Sequence, residues 1–281
     1  MYTGSVSELD PSQIRALQSV ARRAVGGPID PSWRVTISFH PDRLHDGEPI
    51  LRVLARDGVY RSQFETRTSN GGLTAFEGGD RWRWESRIFE GAYDEAPPAA
   101  RPKYGALDLH GDERGASPRF GSSFLRLRAS VVARTTFCFP DSVFEPEDFG
   151  VASAMGLVER ARATITLDAL DHYVEAQVHG LLRLGLDVEA LVLDPCFLGT
   201  EVEALAKRLP CAIEWHAGFR LPKHAIEQAV SYRGPEIAAL LESLVRDGHV
   251  TAREIGEAAR RGIHDPQHVK KAWHTVARFG R

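Results

Sequence analysis

Apolar and polar positions along the chain change period several times, and each change marks a new element. After Asp10-Pro-Ser, a helix-starting phrase, Ile14, Leu17, Val20 and Ala21 recur at helical spacing, and Gly26-Gly27 ends the run. From Trp33 the period drops to two, with Val35, Ile37 and Phe39 alternating in a half-buried strand that Pro41 stops just past His40. Glu48 to Gly58 reads as a short helix with Pro49 at its start and glycine at its close. Val59 to Phe64 reads as a second strand, and the polar, glycine-ended run from Glu65 to Gly72 as a loop beside a ligand. A helix over Asp80–Phe89 carries Trp82, Trp84, Ile88 and Phe89, an aromatic cluster expected in the core.

The proline-rich stretch from Glu95 to Pro102 has the composition of a linker. Strands are expected at Tyr104–Leu109, Ser123–Arg128, Arg134–Phe139, Tyr173–Val178, Val188–Leu193 and Ala212–Trp215, with helices near Ala152–Ala161 and Glu201–Leu209. Beyond Pro235 the pattern is helical only: Ile237, Leu240, Leu241, Leu244 and Val245 share a face, Thr251 caps a second helix, and Asp265-Pro266 opens a third. The pattern predicts an α+β protein with an N-terminal helix over 1–30, a main domain over 31–220 and a C-terminal helical region over 221–281. That region is an appendage which docks on the core, caps a site or binds a partner.

Composition changes this picture little. With 281 residues, 43% of them hydrophobic, a packed core is expected, and a formal charge of −3 carries no overall basic field toward nucleic acid, which stays open as a partner. The N-terminus lacks a basic start followed by an apolar run, and no uncharged apolar stretch is long enough to span a membrane. Three cysteines, widely spaced in apolar segments, read as free thiols of a reducing compartment, so the expected location is cytoplasmic, with delivery by a specialised secretion route left open.

Candidate chemistry centres on Asp171-His-Tyr-Val-Glu-Ala-Gln-Val-His-Gly. In a strand, Tyr173, Glu175 and Gln177 share one face, and Val174, Ala176 and Val178 the other. The polar set is either a solvated face or a carboxylate and an amide held together to steady an electron-poor sugar. Ile37-Ser-Phe-His40 sets a histidine at a strand exit, and Gly58-Val-Tyr60 a tyrosine just after a helix.

With these three pieces the chain resembles the ADP-ribosyltransferase superfamily, in its His-Tyr-Glu branch with diphtheria toxin and the poly-ADP-ribose polymerases. The resemblance spans about Trp33 to Asp194 as three short patterns in order, within a chain also similar to an uncharacterised bacterial family through its Tyr-Arg-Ser-Gln-Phe-Glu-Thr phrase. It implies a split mixed β-sheet core with flanking helices, and NAD as the substrate whose nicotinamide is released. His40 would hydrogen-bond the adenosine ribose, Tyr60 pack on nicotinamide and Glu175 hold the nicotinamide ribose. Arg56, Arg61 and Arg67 would meet the pyrophosphate, Phe64 offers a second stacking surface, and Gln177 would orient an acceptor, a protein foremost. Such an enzyme is a transferase or a glycohydrolase, needs no metal, and fits a toxin or effector. Two departures stand: Pro41 follows the histidine where the family has glycine, and Thr66-Arg-Thr68-Ser69 also suits the Ser-Thr-Ser element of the arginine-type branch, in which Arg34 would sit at the wrong end of the strand.

Two other readings compete. His40, Asp42, His45 and Asp46, with His110, Asp112, His172 and His179, would suit a metal-dependent phosphoesterase. A non-catalytic scaffold carrying the helical region as its interaction module is the other.

Overall fold

A computed structural model describes residues 9–67 and 74–281. Eight strands form one continuous mixed sheet: β1 (Arg34–Phe39), β2 (Lys103–Asp108), β3 (Ser123–Leu127), β4 (Thr135–Phe139), β5 (Asp148–Val151), β6 (Val174–Val178), β7 (Val188–Leu193) and β8 (Ala212–Trp215). Their order is β8-β7-β3-β1-β2-β6-β4-β5, and all neighbours are antiparallel except β7 and β8. The α+β class expected from the pattern is therefore present. Every residue of β1 from Val35 to Phe39 is buried, so this strand is covered on both faces rather than half-buried.

Alternation decides what each face carries. Val35, Ile37 and Phe39 join Val174, Ala176 and Val178 in the main apolar core, with Leu51 and Leu54 from α2 (Ile50–Asp57), Leu157 and Val158 from α4 (Leu157–Ala163) and Leu205 from α5 (Glu201–Ala206). A second cluster joins Cys138 and Phe149 to Val20 of α1 (Pro11–Ala21) and Ile88 of α3 (Asp80–Ile88). Helices thus cover much of both faces, while the edge strand β8 keeps Ala212 and Glu214 exposed.

Local signals account for most boundaries. Asp10 and Gln13 close a reciprocal capping box on α1, and Gly58, at φ 68°, ends α2 in the left-handed conformation that glycine adopts without steric cost. Where the structure departs from expectation, a local or tertiary reason is visible. The extended run after Gly58 stops at Tyr60, because Ser62 and Glu65 form a capping box that starts a short helix over Gln63–Thr66. The helix expected from Ala152 begins only at Leu157, preceded by β5 and a tight turn bridging Val151 and Ala154. On α1 the buried stripe is Ser12, Gln13, Ala16, Ser19 and Val20, leaving Ile14 36% exposed, since short side chains let this helix lie close on the sheet.

The C-terminal region holds four helices: α6 (Gln228–Arg233), α7 (Pro235–Leu244), α8 (Ala252–Arg261) and α9 (Pro266–Phe279). Thr251 and Asp265 cap α8 and α9 as the sequence indicates. These helices share an apolar cluster of their own around Phe219, Ile237, Leu241, Ile255, Trp273 and Val276. They are nonetheless tied to the sheet layer. The Trp273 indole donates to the Pro118 carbonyl at 2.9 Å, and Arg260 donates to the Asp42 carboxylate at 2.8 Å. Beside that ion pair, α8 passes so close that a Cβ on Gly256 would sit 1.5 Å from an Asp42 oxygen. Among the described residues no helix is long and apolar enough to cross a membrane.

Candidate functional site

A cleft of about 480 Å³ opens where β1 ends, and its walls come from distant parts of the chain. The exit of β1 contributes Ser38, His40 and Arg43; α2 and the segment after it contribute Val53, Tyr60, Arg61 and Thr66; α3 and β2 contribute Arg81 and Tyr104. The start of β6 adds Tyr173 and Glu175, and one stripe of α9 adds Pro266, Gln267, Lys270 and Trp273. His40, Tyr60 and Glu175 therefore line one cavity.

Glu175 is the most elaborately held of these. It is only 4% exposed, and its polar face is not solvated but roofed by α3 and the turn after β4. The Gln177 amide donates to its Oε1 at 2.9 Å and the Ser142 hydroxyl to its Oε2 at 3.0 Å. Arg81, itself donating to Ser142 at 2.9 Å, brings its guanidinium to 4.0 Å from the carboxylate. Burial, then the nearby Asp141 carboxylate, push the Glu175 carboxyl up to about 7, against the pull of Arg81 and the two hydrogen bonds. Tyr173 donates to Asp141, which ties that second carboxylate to the site.

Arg81 and Glu85 correct the expectation for α3. Its two tryptophans are half-buried, and the buried stripe instead carries Arg81 and Glu85. Glu85 accepts from Arg101 at 2.6 Å and from the Tyr104 hydroxyl at 2.7 Å, and the Arg81 guanidinium lies 4.1 Å from the Tyr104 ring centre. Arg101, in the stretch that reads as a linker, is buried by this pair. A charged i, i+4 pair on the same stripe as Ile88 was the signal available in the sequence.

His40 meets the Trp273 ring edge-on at 4.9 Å, and burial, then Arg43 and His274, push its pKa well below the usual histidine range, so its imidazole is neutral. Burial holds the Tyr60 phenol up to about 12, protonated at any ordinary pH. The Arg43 guanidinium makes no hydrogen bond to a described residue, whereas Arg61 is paired with Asp57 at 2.9 Å.

Other expected site residues fall elsewhere. Phe64 is buried beneath the Arg101 guanidinium, 4.1 Å from its ring, and Gln177 is buried behind Glu175; neither lines the cleft. Arg56 is bound to Glu48 and Asp57 at the surface, and neither it nor Arg67 reaches the cavity. Thr68 and Ser69 lie outside the described residues. The residues of the metal reading are not gathered, because Asp42 is held by Arg260 and His179 is buried against Tyr93. Among the described residues no three histidine, cysteine, aspartate or glutamate side chains come together as metal ligands.

Sequence comparison with curated proteins finds no match. A family model described as a protein of unknown function, DUF3626, matches residues 34–162 and 156–278, covering the strands, the cleft and the helices of α9's bundle; the chain belongs to that family.

Proposed function

We propose that the protein cleaves the nicotinamide–ribose bond of NAD and transfers the ADP-ribose to an acceptor, a protein or water, and that its α+β core is of the ADP-ribosyltransferase kind. The observation that carries this reading is the meeting of His40, Tyr60 and Glu175, spread over the first two thirds of the chain, in one cleft. Loss of nicotinamide leaves an oxocarbenium-like sugar, and a buried carboxylate fixed by Gln177 and Ser142 stabilises that charge without first having to reorganise. The neutral His40 ring suits a ribose hydroxyl, and the rings of Tyr60, Tyr104 and Trp273 suit the flat ends of a dinucleotide. Arg43 and Lys270 supply positive charge for a pyrophosphate. Arg56 and Arg67 have no part in it.

Glu175→Gln keeps the side chain's shape and removes its charge. In this variant NAD binding by calorimetry should persist while nicotinamide release falls by on the order of a hundredfold or more. Undiminished release from a folded Glu175→Gln protein, or absence of NAD binding to the unmodified protein, would remove the reading.

A further inference from the structure

Behind Glu175, away from the cleft, a line of hydrogen bonds runs along the same face of β6 and β4 to Tyr93. Gln177 Nε2 donates to Glu175 at 2.9 Å, Thr136 Oγ1 donates to Gln177 Oε1 at 2.8 Å, His179 Nε2 lies 3.0 Å from Thr136 Oγ1, and Tyr93 Oη lies 2.6 Å from His179 Nδ1. Tyr93, Thr136, Gln177 and His179 are wholly buried. Their hydrogens can be assigned by elimination. The single hydroxyl hydrogen of Thr136 goes to Gln177, so toward His179 the threonine accepts, and Nε2 must carry the ring proton. In a neutral ring Nδ1 is then bare and accepts from the Tyr93 hydroxyl. Every bond in the line therefore donates in one direction, toward the carboxylate.

We propose that His179 and Thr136 are positioning residues for Glu175, locking the Gln177 amide so that its N–H, never its oxygen, faces the carboxylate. A flipped amide would set Oε1 against a carboxylate oxygen, and Thr136 would meet its N–H only by turning the hydroxyl hydrogen to His179 and driving the ring proton from Nε2 to Nδ1, toward the Tyr93 hydroxyl. The second amide hydrogen is also engaged, on Cys138 Sγ at 3.2 Å. A doubly protonated His179 would break the line by taking the Tyr93 acceptor away, and its surroundings oppose that state: burial, then Lys103 from β2 and Arg134 from just before β4, push its pKa down to about 3. What a hydroxyl and an imidazole add is direction.

The inference rests on Glu175 being the acting carboxylate, but its test does not need the reaction. Protein carrying carbon-13 glutamate is titrated by NMR, with the Glu175 carboxyl signal identified by its loss in Glu175→Gln. The groups facing this carboxyl are Arg81 from α3, Tyr104 from β2, Cys138 from β4, Asp141 and Ser142 from the following turn, and Tyr173 just before β6, and all are retained. Thr136→Val, equal in shape, should raise the midpoint by about one pH unit, because a hydrogen bond to a charged group is worth roughly that much. Thr136→Ser, which keeps the hydroxyl, should restore the original midpoint. If Thr136→Val does not fold, His179→Phe fills the same space beside Phe89 and should give the same rise. An unchanged midpoint in either folded variant, or an equal rise in Thr136→Ser, overturns the proposal. A raised midpoint in a protein that leaves NAD intact would keep the positioning role and overturn the transferase reading instead.

Discussion

The two faces of β6 are buried to the same degree and serve opposite ends. Val174, Ala176 and Val178 are 0% exposed in an apolar core, whereas Glu175 and Gln177, at 4% and 0%, sit in a layer of hydrogen bonds and charge. Depth alone does not separate structure from site in this molecule. What separates them is whether every buried polar atom has a partner, and Glu175 has three supports drawn from three different elements.

The sharpest way to break the contrast is to move a carboxylate to the other face. Val174→Asp puts an unpartnered charge into the main core and should cost roughly 4 kcal/mol or more, read as loss of the folded baseline in a thermal melt. A protein that tolerated it would show that the two faces are interchangeable.

A smaller effect, in rate rather than fold, follows from the raised Glu175 carboxyl. On the proposed function the charged form steadies the sugar, so below pH 7 nicotinamide release should grow by about tenfold per pH unit and level off above it. Stability should run the other way. The folded pKa lies above the unfolded one, so the contribution of this group is full below the ordinary glutamate value and is lost as pH rises through about 7. Glu175→Gln should abolish both trends; a release rate flat from pH 5 to 8 in the unmodified protein would contradict the first.

The smallest effect belongs to the far wall of the cleft. Lys270→Ala removes a cation from α9 without touching β6, and is expected to raise the half-saturation concentration for NAD by about tenfold with the limiting rate nearly unchanged. A fall in rate at unchanged half-saturation would place Lys270 beside the reacting bond rather than at the pyrophosphate.

Seven of the eight sheet strands and their alternation were legible because they depend on neighbours in sequence, whereas the short edge strand β5 was not read. Tyr173, Glu175 and Gln177 could be set on one face from spacing alone, and His40 at a strand exit from Pro41. The cover over that face was not legible: Arg81 and Ser142 reach Glu175 from 94 and 33 positions away, and no local pattern encodes such a meeting. The short helix after Ser62 was missed for a different reason. Its capping signal, Ser62 with Glu65, was present, but the apolar run into Phe64 read as a continuing strand. Likewise the caps of α8 and α9 were plain, while the side of α9 that faces the cleft depends on how the bundle docks through Trp273.

That docking has a consequence for the order in which the site comes into being. A ribosome makes His40 and Tyr60 early, Glu175 midway, and Lys270 and Trp273 after the sheet strands have all emerged. The segment from His40 to Arg43 is pinned through Asp42 to Arg260, under a turn of α8 that only glycine at position 256 lets approach. Until α8 and α9 have been synthesised and folded back, the three early residues face an open groove with no far wall. On the proposed function, a nascent chain lacks the far wall of its cleft until the last helix has docked.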